Sequence, residues 1–238
     1  MRRPPSGPLP LHPAFSTELL PYDRRDDPDE GTAMRLPTAP QHAALTAYGH
    51  SWVGGAGASA PTTRLVDRTA RALGLRVDNR GVSGTASPDT AALIRREPPP
   101  PSAAFLIMTG LNDARLHGLS ARGTEQYREA LAQILTAVTT TAPAAAVVMV
   151  EQPHLLDYSG YAPHDQGSDD AVDRYNAILS EVANMFDAAV TARVADWDPG
   201  SMLDDDAVHP NDAGHAAVAR AATAALSATD ELAVIADD

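Results

Sequence analysis

Cysteine is absent from the 238 residues, and so is lysine: all 18 Lys/Arg positions are arginine. The first absence excludes disulfides, all-thiolate zinc sites, iron–sulfur ligation and a thiol nucleophile. The second excludes a Schiff-base mechanism, a Ser–Lys dyad and the lysine of a phosphate-binding P-loop. Covalent catalysis would therefore fall to Ser, Thr, His, Tyr or a carboxylate, which makes serine the residue type to follow. No apolar run approaches the ~18 residues of a membrane span. The basic start, Met1-Arg2-Arg3-Pro4-Pro5, leads into Pro-rich polar sequence instead of the apolar stretch of a secretory signal. A cytoplasmic location without a membrane partner is expected. Positive charge is also in deficit, with 31 acidic against 18 basic residues and a formal net charge of −13. Such a surface repels phosphate backbones, so a small-molecule partner is expected and nucleic acid is not.

What is present suits one α/β domain with a full core, since 44% of the residues are hydrophobic. Residues 1–41 carry many prolines and the charged stretch Asp23 to Asp27 without a sustained apolar period, which predicts an irregular arm. Residues 42–229 form the expected catalytic domain, and 230–238 an acidic tail. Short apolar runs predict strands at Leu45–Tyr48, Leu75–Asp78, Ala104–Thr109, Ala145–Val150 and Val190–Ala195. Most lack polar alternation, the mark of parallel strands buried on both faces. Apolar residues at helical spacing predict helices through Tyr127 to Val138 and Val172 to Met185. Further helices are expected over Thr62–Leu73, over Pro88–Arg95 behind an N-cap at Ser87, and over Asp212–Ser227. The alternation of strand and helix predicts a parallel sheet built from βαβ units.

The chemistry-bearing residues fall after these strands. The first strand runs into Gly49-His50-Ser51-Trp52-Val53-Gly54, which places a serine at a strand's carboxyl end, a reactive position in an open α/β sheet. Val53 stands where the α/β-hydrolase elbow requires glycine, so that fold is disfavoured. The second strand leads into Asn79-Arg80-Gly81-Val82-Ser83-Gly84, a tight turn, and the third into Gly110-Leu111-Asn112-Asp113. Asn112 brings an uncharged N–H donor to the same edge, suitable for an oxyanion. After the fifth strand, Asp206 and His209 are separated by two residues. His209 is the natural base for Ser51, with Asp206 the nearest carboxylate to orient it. Asp204 and Asp205 are read as solvated.

These four blocks, in this order, resemble those of the SGNH, or GDSL-like, hydrolases. The resemblance spans Gly49 to His209 and implies a three-layer α/β/α sandwich around a flavodoxin-like parallel five-stranded sheet. It implies Ser51 as nucleophile, His209 as base and Asp206 as its partner. It also implies an oxyanion hole from the Ser51 and Gly84 backbone N–H groups and the Asn112 amide. The implied substrate is a small-molecule ester or thioester, with neither cofactor nor metal. Acyl transfer to another acceptor, or a non-catalytic ligand-binding role on the same fold, are the alternatives. One departure stands out: the family usually has aspartate before the nucleophile, and here the residue is His50. An imidazole can supply buried hydrogen bonds as that aspartate does. The sharper reading makes His50 a group that tunes Ser51 or touches substrate.

Other signals compete less well. Gly55-Ala56-Gly57-Ala58-Ser59-Ala60 fits a dinucleotide-binding fingerprint, but it does not directly follow its strand and it precedes Pro61. His209, His215 and the nearby aspartates lack a metal-binding spacing, and His215 is read as a helix residue without a ligand role. His154 and His164 lie in a polar stretch, Gln152 to Ser168, long enough to wall a pocket, though each is individually read as an exposed loop histidine. Trp52 is placed either along an acyl pocket or in the core.

Overall fold

The computed structural model describes residues 43–236. The arm expected before residue 42 and the last two residues of the acidic tail lie outside them. In chain order the strands are β1 (Ala44–Gly49), β2 (Arg76–Gly81), β3 (Ala104–Met108), β4 (Ala146–Val150) and β5 (Ala189–Ala192). The helices are α1 (Ser51–Gly54), α2 (Leu65–Ala72), α3 (Ser87–Arg96), α4 (Leu111–His117), α5 (Ala121–Thr141), α6 (Asp169–Ala183), α7 (Pro199–Met202) and α8 (Asp212–Ala236).

The strands form one five-stranded sheet in the order β2-β1-β3-β4-β5, with every pairing parallel. Parallel neighbours need crossover connections, and the helices supply them. From β1 the chain steps to β2 on one side, and the later crossovers all step the other way. Right-handed crossovers then put α2 on one face and α3, α5 and α6 on the other. The packing agrees: α2 lies on α8, α3 on α5 and α5 on α6. The result is the three-layer α/β/α sandwich with a flavodoxin-like order. The direction of crossover reverses between β1 and β3, where a crevice opens at the carboxyl ends of the strands.

The central strands β1 and β3 are buried at every position, and β4 at all but its first. The edge strands differ from the expectation of two-sided burial, because each has a neighbour on only one side. Arg76 and Val77 of β2 are exposed, and β5 ends at Ala192, short of the expected Ala195. Tyr127, Leu131, Ile134, Leu135 and Val138 of α5 are all fully buried, as their spacing predicts. On α6 the stripe holds through Val182, whereas Met185 lies past the helix end and is exposed.

Three helix boundaries also move. The helix expected from Thr62 begins as a single 3₁₀ turn, Pro61–Thr63, and restarts at Leu65 after an extended Arg64. The Leu65 N–H is taken at that break by the buried His215 Nδ1 at 3.2 Å. The cap of α3 is Ala86, whose N–H is bound by the Asp89 carboxylate at 3.0 Å, while Ser87 serves Asp113. Finally, α8 continues past Ser227 to Ala236, through most of the acidic tail, because no glycine or proline after Gly214 stops it. None of the helices among the described residues is long and apolar enough to cross a membrane.

Candidate active site

Where β1 ends, His50 caps α1: its Nδ1 accepts the Trp52 N–H at 3.3 Å. Its other nitrogen, Nε2, is 2.8 Å from Gln152 Oε1. The Gln152 amide is oriented by two donations, Nε2 to the carbonyls of Thr109 at 3.2 Å and Val150 at 3.1 Å. Its Oε1 is therefore an acceptor, and His50 carries its proton on Nε2. Complete burial lowers the His50 pKa to about 4, although the bond to Gln152 pulls the other way. His50 is thus a neutral, doubly satisfied group beneath the site. It has no surface with which to touch substrate.

Ser51 opens α1 and is 8% exposed. Its Oγ lies 3.0 Å from His209 Nε2, and His209 Nδ1 lies 2.5 Å from Asp206 Oδ2. The carboxylate must accept, so Nδ1 carries the proton and Nε2 is free to receive the Ser51 proton. A short loop holds Asp206 and His209 in place. Leu203 and Pro210 form an antiparallel bridge, and the Asp204 N–H donates to the His209 carbonyl at 2.7 Å. Asp206 Oδ1 accepts the backbone N–H groups of Val208 and His209 at 2.9 and 2.8 Å. Burial opposes ionisation of Asp206. The bonds from the His209 backbone, the His209 ring and the Val208 backbone outweigh it, so its pKa lies below the ordinary carboxylate value.

Trp52 ties this loop to α1. Its Nε1 donates to the Val208 carbonyl at 3.0 Å and its ring stacks on Trp197, with centroids 5.5 Å apart. It is fully buried, which removes the pocket-lining role and leaves the packing one. The Gly55–Ala60 segment docks on the same region. Gly57 (φ +83) passes so close that a Cβ there would sit 2.2 Å from the Pro210 carbonyl oxygen. Ser59 donates to Asp212 through its N–H at 2.9 Å and its hydroxyl at 2.5 Å, and His215 Nε2 donates to the Ala56 carbonyl at 3.0 Å. Close packing beside His209 accounts for this glycine pattern, and His215 serves as a structural pin.

Two further donors line the same cleft as Ser51. Gly84 (φ +79) takes a left-handed backbone where a Cβ would meet nothing, so conformation and not space selects glycine there. Among the described residues its N–H has no protein acceptor, and neither has that of Ser51. Asn112 sits in the first turn of α4, with one Nδ2 hydrogen directed to the Thr85 carbonyl at 2.9 Å and the second unassigned. Beside it, Asp113 accepts the Ser87 N–H at 2.9 Å and the Ser87 hydroxyl at 2.9 Å. Burial nevertheless pushes its pKa up to about 6.

Ser51, Ser83, Gly84, Asn112, Val208 and His209 line a cleft of about 230 Å³, whose remaining wall is Arg115, Tyr161 and His164. Larger cavities exist, one of about 470 Å³ beside Gln152 and His154 and one of about 710 Å³ between α3 and α5. Neither contains Ser51, Asp206 or His209, so the chemistry favours the small cleft. Of the residues proposed from sequence, Ser51, Gly84, Asn112 and His209 meet in it with Asp206 directly behind, whereas His50 and Trp52 lie below. His154 pairs with Asp173 at 2.8 Å away from this cleft, and His164 joins its wall. Arg115, Tyr161 and Gln152 were not anticipated. Arg115 had a signal, since three residues beyond Asn112 is the same helix face.

The sequence model of the GDSL-like Lipase/Acylhydrolase family matches residues 46–217, and the chain belongs to that family. No curated relative matches it. Among solved structures it is similar to an α/β hydrolase from the metagenome of Lake Arreo, Spain, at 21% identity and a TM-score of 0.58, covering 78% of this chain and 96% of that one. It is similar to a salicylyl-acyltransferase from a tetracycline biosynthetic pathway, at 17% identity and a TM-score of 0.63, covering 81% and 56% of the two chains. A phospholipase A1 from Streptomyces albidoflavus is also similar, at 18% identity and a TM-score of 0.56, covering 79% and 99%. At these identities the neighbours establish the fold, that of the SGNH hydrolases. The family places the chain among the GDSL-like lipases and acylhydrolases, a class of enzymes.

Proposed function

We propose that the protein is a serine-dependent acyl hydrolase acting on a small ester or thioester. The observation that carries this reading is the unbroken chain from Ser51 Oγ to His209 Nε2 at 3.0 Å and from His209 Nδ1 to Asp206 at 2.5 Å. In the proposed reaction His209 takes the Ser51 proton as Oγ attacks the carbonyl carbon. Asp206, ionised, holds the imidazole in its productive tautomer and stabilises the imidazolium. The free N–H groups of Ser51 and Gly84 and the remaining Asn112 Nδ2 hydrogen support an assignment as the oxyanion hole. His209 then returns its proton to the leaving oxygen or sulfur, and water activated by the same imidazole releases the acyl group from Ser51.

Delivery of the acyl group to another hydroxyl would use the same residues, and the likeness to a salicylyl-acyltransferase favours keeping it as the second reading. The cleft of about 230 Å³ is smaller than the ~300–1,000 Å³ typical of drug-sized ligands, which supports a compact acyl group. The test is labelling by a fluorophosphonate probe alongside turnover of p-nitrophenyl acetate, with Ser51→Ala as control. Labelling and turnover that both vanish in Ser51→Ala are expected. A folded wild type that shows neither overturns the reading.

A further inference from the structure

Arg115 stands on α4 three residues beyond Asn112 and is only 5% exposed. Its Nη2 donates to the Gly160 carbonyl at 3.3 Å, and its Nε is buried without a hydrogen-bond partner. No carboxylate among the described residues lies within ion-pair distance of its guanidinium. The charge of Asp206 acts on it only from beyond that distance, and a guanidinium taken out of water without a direct partner is a costly arrangement. His164, on the same wall of the cleft, also has its Nε2 buried without a partner. Two orphaned nitrogens therefore border the 230 Å³ cleft that holds Ser51.

Their placement is built and not incidental. The 158–167 loop grips Arg115: the Gln166 N–H donates to the Arg115 carbonyl at 2.9 Å, and a Cβ on Gly167 would lie 3.1 Å from Arg115 Cγ. Tyr161, in the same loop, holds a left-handed backbone (φ 67) and reaches the Asp206 carbonyl with its hydroxyl at 3.4 Å. The loop thus spans from the guanidinium to the catalytic carboxylate's own backbone. Among the described residues, Arg115 is the only arginine lining the cleft. Burial and the neighbouring guanidinium depress the His164 pKa, so the wall offers one full positive charge at neutral pH. One guanidinium matches one carboxylate in charge and in its planar pair of donors.

We propose that the substrate carries a carboxylate, which Arg115 binds with His164 as a second donor while Ser51 attacks the ester. The proposal rests on the serine acyl-transfer reading and adds the substrate class. The formal charge of −13 works against an anion at long range. Screening limits that repulsion to ~8 Å at physiological ionic strength, and within that range Arg115 lines the cleft whereas the Asp206 carboxylate lies behind His209.

Two ester pairs test it. In the first, 4-acetoxybenzoate and its methyl ester differ by a charge on the leaving group. In the second, mono-4-nitrophenyl adipate and 4-nitrophenyl hexanoate differ by a charge on the acyl chain. In at least one pair the carboxylated ester should show kcat/KM at least about tenfold above its neutral partner. Arg115→Gln should reduce that ratio by about tenfold or more, with Arg115→Lys intermediate because it keeps the charge but loses the fork. The wild-type comparison needs no variant, so misfolding of either variant leaves the test standing. Equal or better turnover of the neutral esters in both pairs, with Ser51-dependent activity intact, overturns the proposal and spares the acyl-transfer reading. A carboxylate preference undiminished in a folded Arg115→Gln overturns the assignment to Arg115. Loss of fluorophosphonate labelling and of all four activities in folded wild type overturns both readings together.

Discussion

Replacing His50 with glutamine should flatten part of the protein's acid sensitivity, because it removes one buried titration while keeping a donor for Gln152 Oε1. The folded pKa of His50 is about 4 against 6.5 for a free histidine. As pH falls, the unfolded chain takes up this proton first. The stability contributed by neutral His50 is therefore complete above ~6.5 and is lost progressively toward pH 4. By about pH 5 the loss amounts to about 2 kcal/mol, and below both values to about 3 kcal/mol. Asp113 acts in the opposite sense. Its folded pKa of about 6 lies above the ordinary 3.8. Its contribution is present at low pH and lost as pH rises through 6, which offsets His50 by about 1 kcal/mol near pH 5. The wild-type profile alone mixes the two, whereas the difference between wild type and His50→Gln cancels Asp113. Urea unfolding followed by fluorescence of Trp52 and Trp197 gives that difference. Loss of the acceptor for the Trp52 N–H makes the variant less stable at about pH 7.5, and the gap should move by about 2 kcal/mol in the variant's favour by about pH 5. A gap that does not change with pH refutes the claim that His50 is held neutral by burial.

Asn112→Ala removes the side-chain donor beside Ser51, and kcat for p-nitrophenyl acetate should fall by ~10² to 10³ with the unfolding midpoint little changed. Near-normal turnover would contradict its assignment to the oxyanion hole. Gly57→Ala forces a Cβ to within 2.2 Å of the Pro210 carbonyl oxygen at a φ of +83. It should cost about 1–3 kcal/mol in urea unfolding and lower kcat by shifting the segment that carries His209. Trp52→Phe keeps a ring against Trp197 but leaves the Val208 carbonyl without its donor, so about 1–3 kcal/mol of stability should be lost, measured the same way.

The central strands were legible because burial on both faces leaves an unbroken apolar run, as in Phe105-Leu106-Ile107-Met108. The edges were less so: Arg76-Val77-Asp78-Asn79-Arg80-Gly81 is a strand without such a run, held by pairing to β1 alone. The blocks that carry Ser51, Asn112, Asp206 and His209 were readable as motifs because short spacing constrains them. What joins the blocks was not readable. His50 meets Gln152 across 102 positions, and Trp52 meets Val208 across 156. Neither contact leaves a local pattern, since each follows from the strand order. The Gly–Asn–Asp block concealed α4, and with it the direction of Arg115 into the cleft.

The same network explains why histidine stands where the family usually has aspartate. A neutral imidazole offers one acceptor and one donor, and position 50 presents one donor, the Trp52 N–H, and one acceptor, Gln152 Oε1. An aspartate would satisfy Trp52 but would face Gln152 Oε1 acceptor to acceptor. Turning the Gln152 amide over would cure that clash only by aiming its oxygen at the carbonyls of Thr109 and Val150. His50 and Gln152 are therefore a matched pair. His50→Asp, although it restores the residue usual in the family, should be less stable than His50→Gln by at least about 2 kcal/mol at neutral pH, because it buries a charge against a fixed acceptor. Urea unfolding of the two variants side by side decides it. An aspartate variant as stable as the glutamine one would mean that Gln152 is free to rearrange and that the pairing does not govern the choice of histidine.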